Sequence, residues 1–212
     1  MDTDQLIRTL AADNLHRARP VGFVLALALL AAAPVSLLMF FAELGVRPDV
    51  MTAMDNPFFD LKFAVTLALA AAAITIALHL SRPEASLRGW VWLLIIPAGL
   101  LVGGISGEMM VPQRLPMMTR LVGSNSKVCM TAIPMMSLPL LAASLVGLRH
   151  GAPTRPATAG AMAGLLSAGL AATVYASHCT DDSPLFVATW YSLATALVTA
   201  LGAVLGSKLL RF

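Results

Sequence analysis

Residues 21–41 read VGFVLALALLAAAPVSLLMFF, an unbroken apolar run without a charged side chain. About 20 apolar helical residues are enough to cross the roughly 30 Å hydrocarbon core of a bilayer. Only 12% of the 212 residues are charged, about half the share found in a typical soluble domain. Five further long apolar runs follow, at 63–80, 90–110, 128–148, 157–177 and 186–206. The sequence therefore predicts six membrane spans.

The apolar runs are continuous rather than alternating, which favours helices over the strands of a membrane barrel. Helices also close their own backbone hydrogen bonds, as lipid requires. We therefore predict an all-α protein, a polytopic bundle of six transmembrane helices in residues 21–212, preceded by a short helix in the cytoplasmic tail, residues 1–20. Pro34 stands where a signal peptidase would have to cut after three alanines, so we expect the first span to be uncleaved.

Basic residues are unevenly divided between the two sides of such a bundle. Nine of the 14 lysines and arginines fall on the side that holds both termini. Since cytoplasmic segments are enriched in lysine and arginine, both termini are predicted to be cytoplasmic. The only two cysteines of the chain, Cys129 and Cys179, are then expected at the outer end of the bundle.

Two thiols at matching depth in an oxidising compartment suggest a chemical switch. They can form a disulfide if their Cα atoms approach within about 7 Å, and thiolates also bind soft metal ions. A purely structural disulfide is the alternative. His178, if protonated, would lower the pKa of the adjacent Cys179 thiol, whereas Asp181 and Asp182 would act in the opposite direction. Cys129, Cys179 and His178 are therefore the candidate sensing residues, and the two cysteines are possible metal ligands.

Methionines are concentrated at the same outer end of the predicted bundle as the cysteines, which suggests a rival function as a small metal or solute carrier. Methionine also fills gaps at helix ends, so the cluster has an ordinary explanation. No span has a charge near its centre, which disfavours a proton-coupled carrier. The outer methionines are Met51, Met54, Met109, Met110, Met117, Met118 and Met130. We find no catalytic triad, phosphate loop or CxxC motif, and expect neither an enzyme nor a resident cofactor beyond transient binding of a soft metal ion.

Small residues recur at a spacing of four, which lets helices approach closely within one bundle or in a dimer. Packing within one bundle is the more ordinary interpretation. The pairs are Gly103 and Gly107, Gly160 and Gly164, Ala168 and Ala172, and Gly202 and Gly206.

The N-terminal tail is the one segment free to meet a cytoplasmic partner. Residues 2–18 are predicted to form a short amphipathic helix, with Leu6, Ile7 and Leu10 in its apolar stripe. Its charges balance, so it is poorly suited to holding anionic lipid. It is expected to pack beneath the bundle or to dock in the groove of a partner protein.

The chain resembles the NrsF-type anti-sigma factors, a family of bacterial inner-membrane proteins with six spans. The resemblance covers nearly the whole chain and is carried by short motifs. These are residues 3–11 (TDQLIRTLA), Arg19-Pro20, a lone cysteine in the fourth run, and residues 178–184 (HCTDDSP) followed by Phe186 and Trp190-Tyr191.

The resemblance implies a membrane-bound protein that holds an extracytoplasmic-function sigma factor and releases it under heavy-metal or oxidative stress. It implies that Cys129 and Cys179 take part in sensing. Combined with the tail, it predicts that Leu6, Ile7 and Leu10 bind the sigma factor, with no direct contact to nucleic acid.

Overall fold

The computed structural model describes residues 2–5, 7, 20–83 and 85–211. All regular structure within these residues is helical, and six of the helices are long and apolar enough to cross a membrane. The predicted all-α, six-span architecture is therefore confirmed. The spans are α1 (Val21–Glu43), α3 (Pro57–Leu80), α4 (Trp90–Met110), α6 (Ser126–Leu148), α7 (Pro156–Ala176) and α8 (Pro184–Leu209).

Two short helices connect spans at the end of the bundle opposite to the start of α1. They are α2 (Val50–Ala53), between α1 and α3, and α5 (Met117–Val122), between α4 and α6. Two spans begin irregularly, since α4 opens with a 3₁₀ segment, Trp90–Leu94, and α8 contains a π-helical turn, Val187–Tyr191.

Two of the spans that start at this end begin with the same local signal. The side chains of Asn56 and Ser183 each accept a backbone N–H from the first turn of the helix that follows. Pro57 and Pro184 come next, at the first helical position, where a missing N–H has no consequence. These caps fix the starting points of α3 and α8.

The helix α3 is longer than the apolar run at 63–80 that predicts it. It begins at Pro57 and continues through Asp60 and Lys62, charged residues that hydropathy assigns to the preceding loop. The Lys62 side chain is consequently held on a helix, and it is only 1% exposed.

The helix α7 is the centre of the bundle, and α4 is its periphery. In the most apolar stretch of α7, 56% of the residues are buried inside the protein, compared with 6% for α4. α7 packs against α3, α6 and α8, while α1 packs chiefly against α6. The helix α6 is therefore the main packing partner of the span that directly follows the N-terminal tail.

Glycines bring α7 and α8 into backbone contact. Gly160 and Gly164 of α7 face Gly202 and Gly206 of α8, and a Cβ added at Gly206 would lie 2.6 Å from the Cα of Gly160. That separation is shorter than real Cβ contacts. These four small residues therefore serve packing within one bundle, as the more ordinary interpretation of their spacing predicts.

Only part of the predicted tail helix lies within the described residues. Thr3, Asp4 and Gln5 are helical, and Ile7 is helical and 58% exposed. Leu6 and Leu10 lie outside the described residues.

We expect Gly160→Leu to lower the thermal unfolding midpoint in detergent micelles, because the new side chain meets the backbone of α8. Overpacking of this kind costs about 1–3 kcal/mol or more. Gly103→Leu is the matched control, since nothing in the described residues lies within 4 Å of a Cβ placed there. Equal midpoints for the two variants would contradict the packing described here.

Candidate functional site

Both cysteines lie at the end of the bundle opposite to the start of α1, which we call the cysteine end. Cys129 is in the first turn of α6, and Cys179 lies in the loop of residues 177–183 that joins α7 to α8. Both are free thiols with no exposed area, and both belong to the same buried cluster. The structure thus brings the two predicted sensing residues into one apolar environment.

Aromatic side chains form much of the cover over the thiols. Tyr191 packs against Tyr175 and Phe186, with ring centroids 5.7 Å and 6.3 Å apart respectively. The Cys179 Sγ points to the carbonyl oxygen of Asp181 at 3.7 Å. Both thiols are therefore enclosed in a buried cluster that includes rings from α7 and α8.

Two buried cations hold the 177–183 loop in place. The Lys62 Nζ donates to the Cys179 carbonyl oxygen at 2.8 Å and to Asp182 Oδ1 at 2.7 Å. The Arg47 guanidinium donates to the same carboxylate at 3.0 and 3.1 Å, and to the Cys179 carbonyl at 3.3 Å. Two positive side chains from distant segments therefore meet on the backbone of a single cysteine.

Asp49 completes this network and makes it electrically neutral. Its carboxylate accepts two hydrogen bonds from Arg47, at 2.8 and 2.7 Å. The hydrogen bond from Arg47 lowers the pKa of Asp49 to about 2, and the same bond raises the pKa of Arg47. Arg47 and Lys62 are thus matched by Asp49 and Asp182, and buried charges are tolerated only when paired in this way.

Asp181 ties the same loop to α6. Its carboxylate accepts the backbone N–H groups of Ser124, at 3.0 Å, and Asn125, at 2.8 Å, and the Asn125 side-chain amide at 3.0 Å. These residues directly precede α6, so a carboxylate from a distant segment caps the helix that carries Cys129. A negative charge at this position is also favoured by the helix dipole.

His178 anchors the loop to the segment after α1. Its Nδ1 lies 2.9 Å from the Gly45 carbonyl oxygen. In the same region the backbone N–H of Arg47 donates to the Ser177 carbonyl at 3.0 Å. Burial raises the pKa of the Cys179 thiol, and the nearby Lys62 ammonium acts in the opposite direction. Lys62 is therefore a group that favours the thiolate and that the sequence analysis did not identify.

Metal-binding groups are sparse at the cysteine end. Among the residues that the structure describes, no three histidine, cysteine, aspartate or glutamate side chains come together to hold an ion. Six of the seven methionines are exposed on α2, α4, α5 or the turn after α2, whereas Met130 packs against the thiol cluster.

A polar cleft of about 460 Å³ opens beside the loop. Asp181 and Asp182 form part of its wall, together with a buried ion pair between Glu108 and Arg120 that is 2.9 Å long. Neither this pair nor the role of Lys62 and Arg47 was predicted from the sequence. One signal was available, because the loop carries two aspartates and no basic residue of its own.

Comparison with known proteins gives a consistent result over the full chain. Residues 10–212 match the sequence model of the NrsF family, described as negative regulator of sigma F. The chain is 36% identical to the anti-sigma-F factor NrsF of Caulobacter vibrioides and 35% identical to the probable anti-sigma-F factor NrsF of Azospira oryzae. Both alignments cover all of this chain and all of the relative. No solved structure matches.

We expect Asp181→Ala to destabilise the protein by about 0.5–2 kcal/mol, the usual effect of losing a helix cap. Thermal unfolding in detergent micelles measures the change, with Asp55→Ala as the control because Asp55 is exposed at the same end. If the two variants unfold at the same temperature, Asp181 does not act as a cap.

Proposed function

Since this chain belongs to the NrsF family of negative regulators of sigma F, we propose that it holds a sigma factor at the bacterial inner membrane and releases it when the periplasm is under stress. Membership of this family points to a regulatory role rather than an enzymatic one. The partner we propose is a sigma factor of the extracytoplasmic-function class, and the signals are oxidants or soft heavy metals.

One observation carries the proposal, namely the two free thiols in one buried cluster at the end of the bundle farthest from the tail. The distribution of lysine and arginine assigns that end to the periplasm and both termini to the cytoplasm. The sensor and the partner-binding segment then lie on opposite sides of the membrane, as a signal across it requires.

The N-terminal tail is the proposed contact with the sigma factor. Ile7 is exposed in the structure, and with Leu6 and Leu10, which lie outside the described residues, it would form an apolar stripe for a groove in the partner. Holding the sigma factor there would keep it from RNA polymerase.

The sensing step joins Cys129 and Cys179. A two-electron oxidant, such as a peroxide, would accept two electrons and two protons from the thiols as the S–S bond forms. Alternatively, a soft metal ion would bind both sulfurs and displace their protons. Either product links the start of α6 to the 177–183 loop. His178 supports this step by fixing the loop to Gly45.

The helix α6 is a suitable route from the thiols to the tail. It contains Pro134 and Pro139, each of which removes a backbone hydrogen bond and permits a bend. Next to them, the Ser36 hydroxyl of α1 donates to the Met136 carbonyl at 2.7 Å. A bend in α6 would therefore displace α1 and the tail before it. Reversing a 99:1 population requires about 5.5 kcal/mol of preference for the released state.

A metal or solute carrier is the rival function, suggested by the exposed methionines. Family membership favours the regulator, and the charged side chains that the described spans carry, such as Lys62 and Glu108, lie near span ends rather than at span centres. Flux of copper or cadmium into vesicles that contain the protein would favour the carrier.

We expect Cys129→Ser and Cys179→Ser each to abolish induction of a sigma-dependent reporter by cadmium or peroxide, because a single thiol cannot complete the link. Basal repression should stay near the wild-type level, since serine leaves the tail unchanged. Met130→Leu is the control for a change beside Cys129. An unaltered response in both serine variants would refute sensing by the pair.

We expect Ile7→Asp to weaken co-purification of the sigma factor by about tenfold or more, because loss of an apolar anchor typically costs over 1–2 kcal/mol. Asp4→Asn, a change on the same exposed turn, serves as control. Retention of the sigma factor by the Ile7 variant would place the binding surface elsewhere.

A further inference from the structure

The Lys62 ammonium is an unusual group to find inside this bundle. Lysine is almost never fully buried unless it is paired, and here the side chain is 1% exposed. It lies 5.1 Å from the centroid of the Phe59 ring, within the range of a cation–π contact. Its two hydrogen bonds go to Asp182 and to the carbonyl of Cys179, so both of its polar partners belong to the 177–183 loop.

These bonds fix the backbone from which the Cys179 thiol projects. Arg47 reaches the same two acceptors from the segment after α1, but it also binds Asp49, whose side chain is half exposed. Lys62 is therefore the interior member of the pair of cations. Removing it would leave Asp182 with one partner and the Cys179 carbonyl with a single long bond.

The closed loop protects both thiols from the aqueous phase. Neither sulfur-bearing side chain has any exposed area, and a thiol reacts as the thiolate, which burial disfavours. Water-borne reagents therefore reach Cys179 through openings of the loop, at a rate set by the population of the open state. The strength with which the loop is held thus determines the reactivity of the thiol.

We infer that the ion pair between Lys62 and Asp182 is a latch that keeps the Cys179 thiol buried, and that breaking this ion pair is the step that exposes the thiol to its oxidant or metal ion. Lys62 is a positioning residue in this scheme, since it contacts the backbone of the sensor rather than its sulfur. The inference deepens the proposed function and rests on it for its biological meaning.

Opening the latch also affects the second thiol. The loop that carries Asp182 also carries Asp181, whose carboxylate caps α6 beside Cys129. If the loop moves away, α6 loses its cap at the same moment that Cys179 loses its cover. One movement would therefore expose one cysteine and loosen the helix of the other.

The latch can be tested by the rate at which a maleimide-linked polyethylene glycol alkylates the reduced protein in lipid nanodiscs. The measurement uses the Cys129→Ser background, so that Cys179 is the only thiol. We expect Lys62→Met to accelerate alkylation by about tenfold or more, which corresponds to about 1.4 kcal/mol in the opening equilibrium. Lys62→Arg, which keeps the charge and the donors, should stay within about threefold of the parent.

Two controls separate the latch from general destabilisation. Lys127→Met removes an exposed lysine close to the start of α6 and should leave the rate unchanged. Gly160→Ala disturbs the packing of α7 against α8 at the other end of the bundle. We expect this variant to have a lower unfolding midpoint than the parent but the same rate of alkylation. If Lys62→Met does not fold, Asp182→Asn takes its place, with Asp55→Asn as its control.

Alkylation within about twofold of the parent in a folded Lys62→Met or Asp182→Asn protein would overturn the latch, as would equal acceleration in Gly160→Ala. The assay contains no sigma factor, so it is independent of the proposed function. If these variants accelerate alkylation but leave the cadmium or peroxide dose for sigma release unchanged, the latch stands and thiol sensing fails.

Discussion

Two buried cations that converge on Asp182 hold together the cysteine end of this protein. Taking Lys62 and Arg47 out of water is costly, and the cost is offset only because both meet a carboxylate and a carbonyl at hydrogen-bond distance. These bonds hold the 177–183 loop against the bundle, so that the thiols are buried and Asp181 lies at the start of α6. The local chemistry of the cysteines is therefore set by charges that lie far away in the sequence.

The number of spans and the shared location of the cysteines were predictable, because lipid imposes one dominant rule on the sequence. Each crossing needs a long apolar helix, and counting crossings decides on which side each loop falls. The same rule misplaced the start of α3, since it treats Lys62 as a residue outside the helix. A charged residue at the end of a span can belong to the helix when an oppositely charged side chain from another loop neutralises it.

The composition of the site was less predictable than its position. Cys129 and Cys179 were expected at one end of the bundle, and the structure adds that they share one buried cluster. The two ion pairs that close the loop join residues separated by 120 and 135 positions, and no local pattern encodes such a pairing. The contact of His178 is equally long-range, because its Nδ1 lies 2.9 Å from the carbonyl oxygen of Gly45, 133 positions earlier in the chain.

The cap on α6 has a consequence for the order in which the protein is assembled. The N–H groups before this helix find their acceptor 56 and 57 residues later in the chain. A ribosome that delivers the chain from its N-terminus therefore inserts α6 before its cap has been synthesised. Until α7 and α8 arrive, Cys129 lacks the aromatic rings of its buried cluster, so the enclosed environment of this thiol forms only once the last two spans are in place.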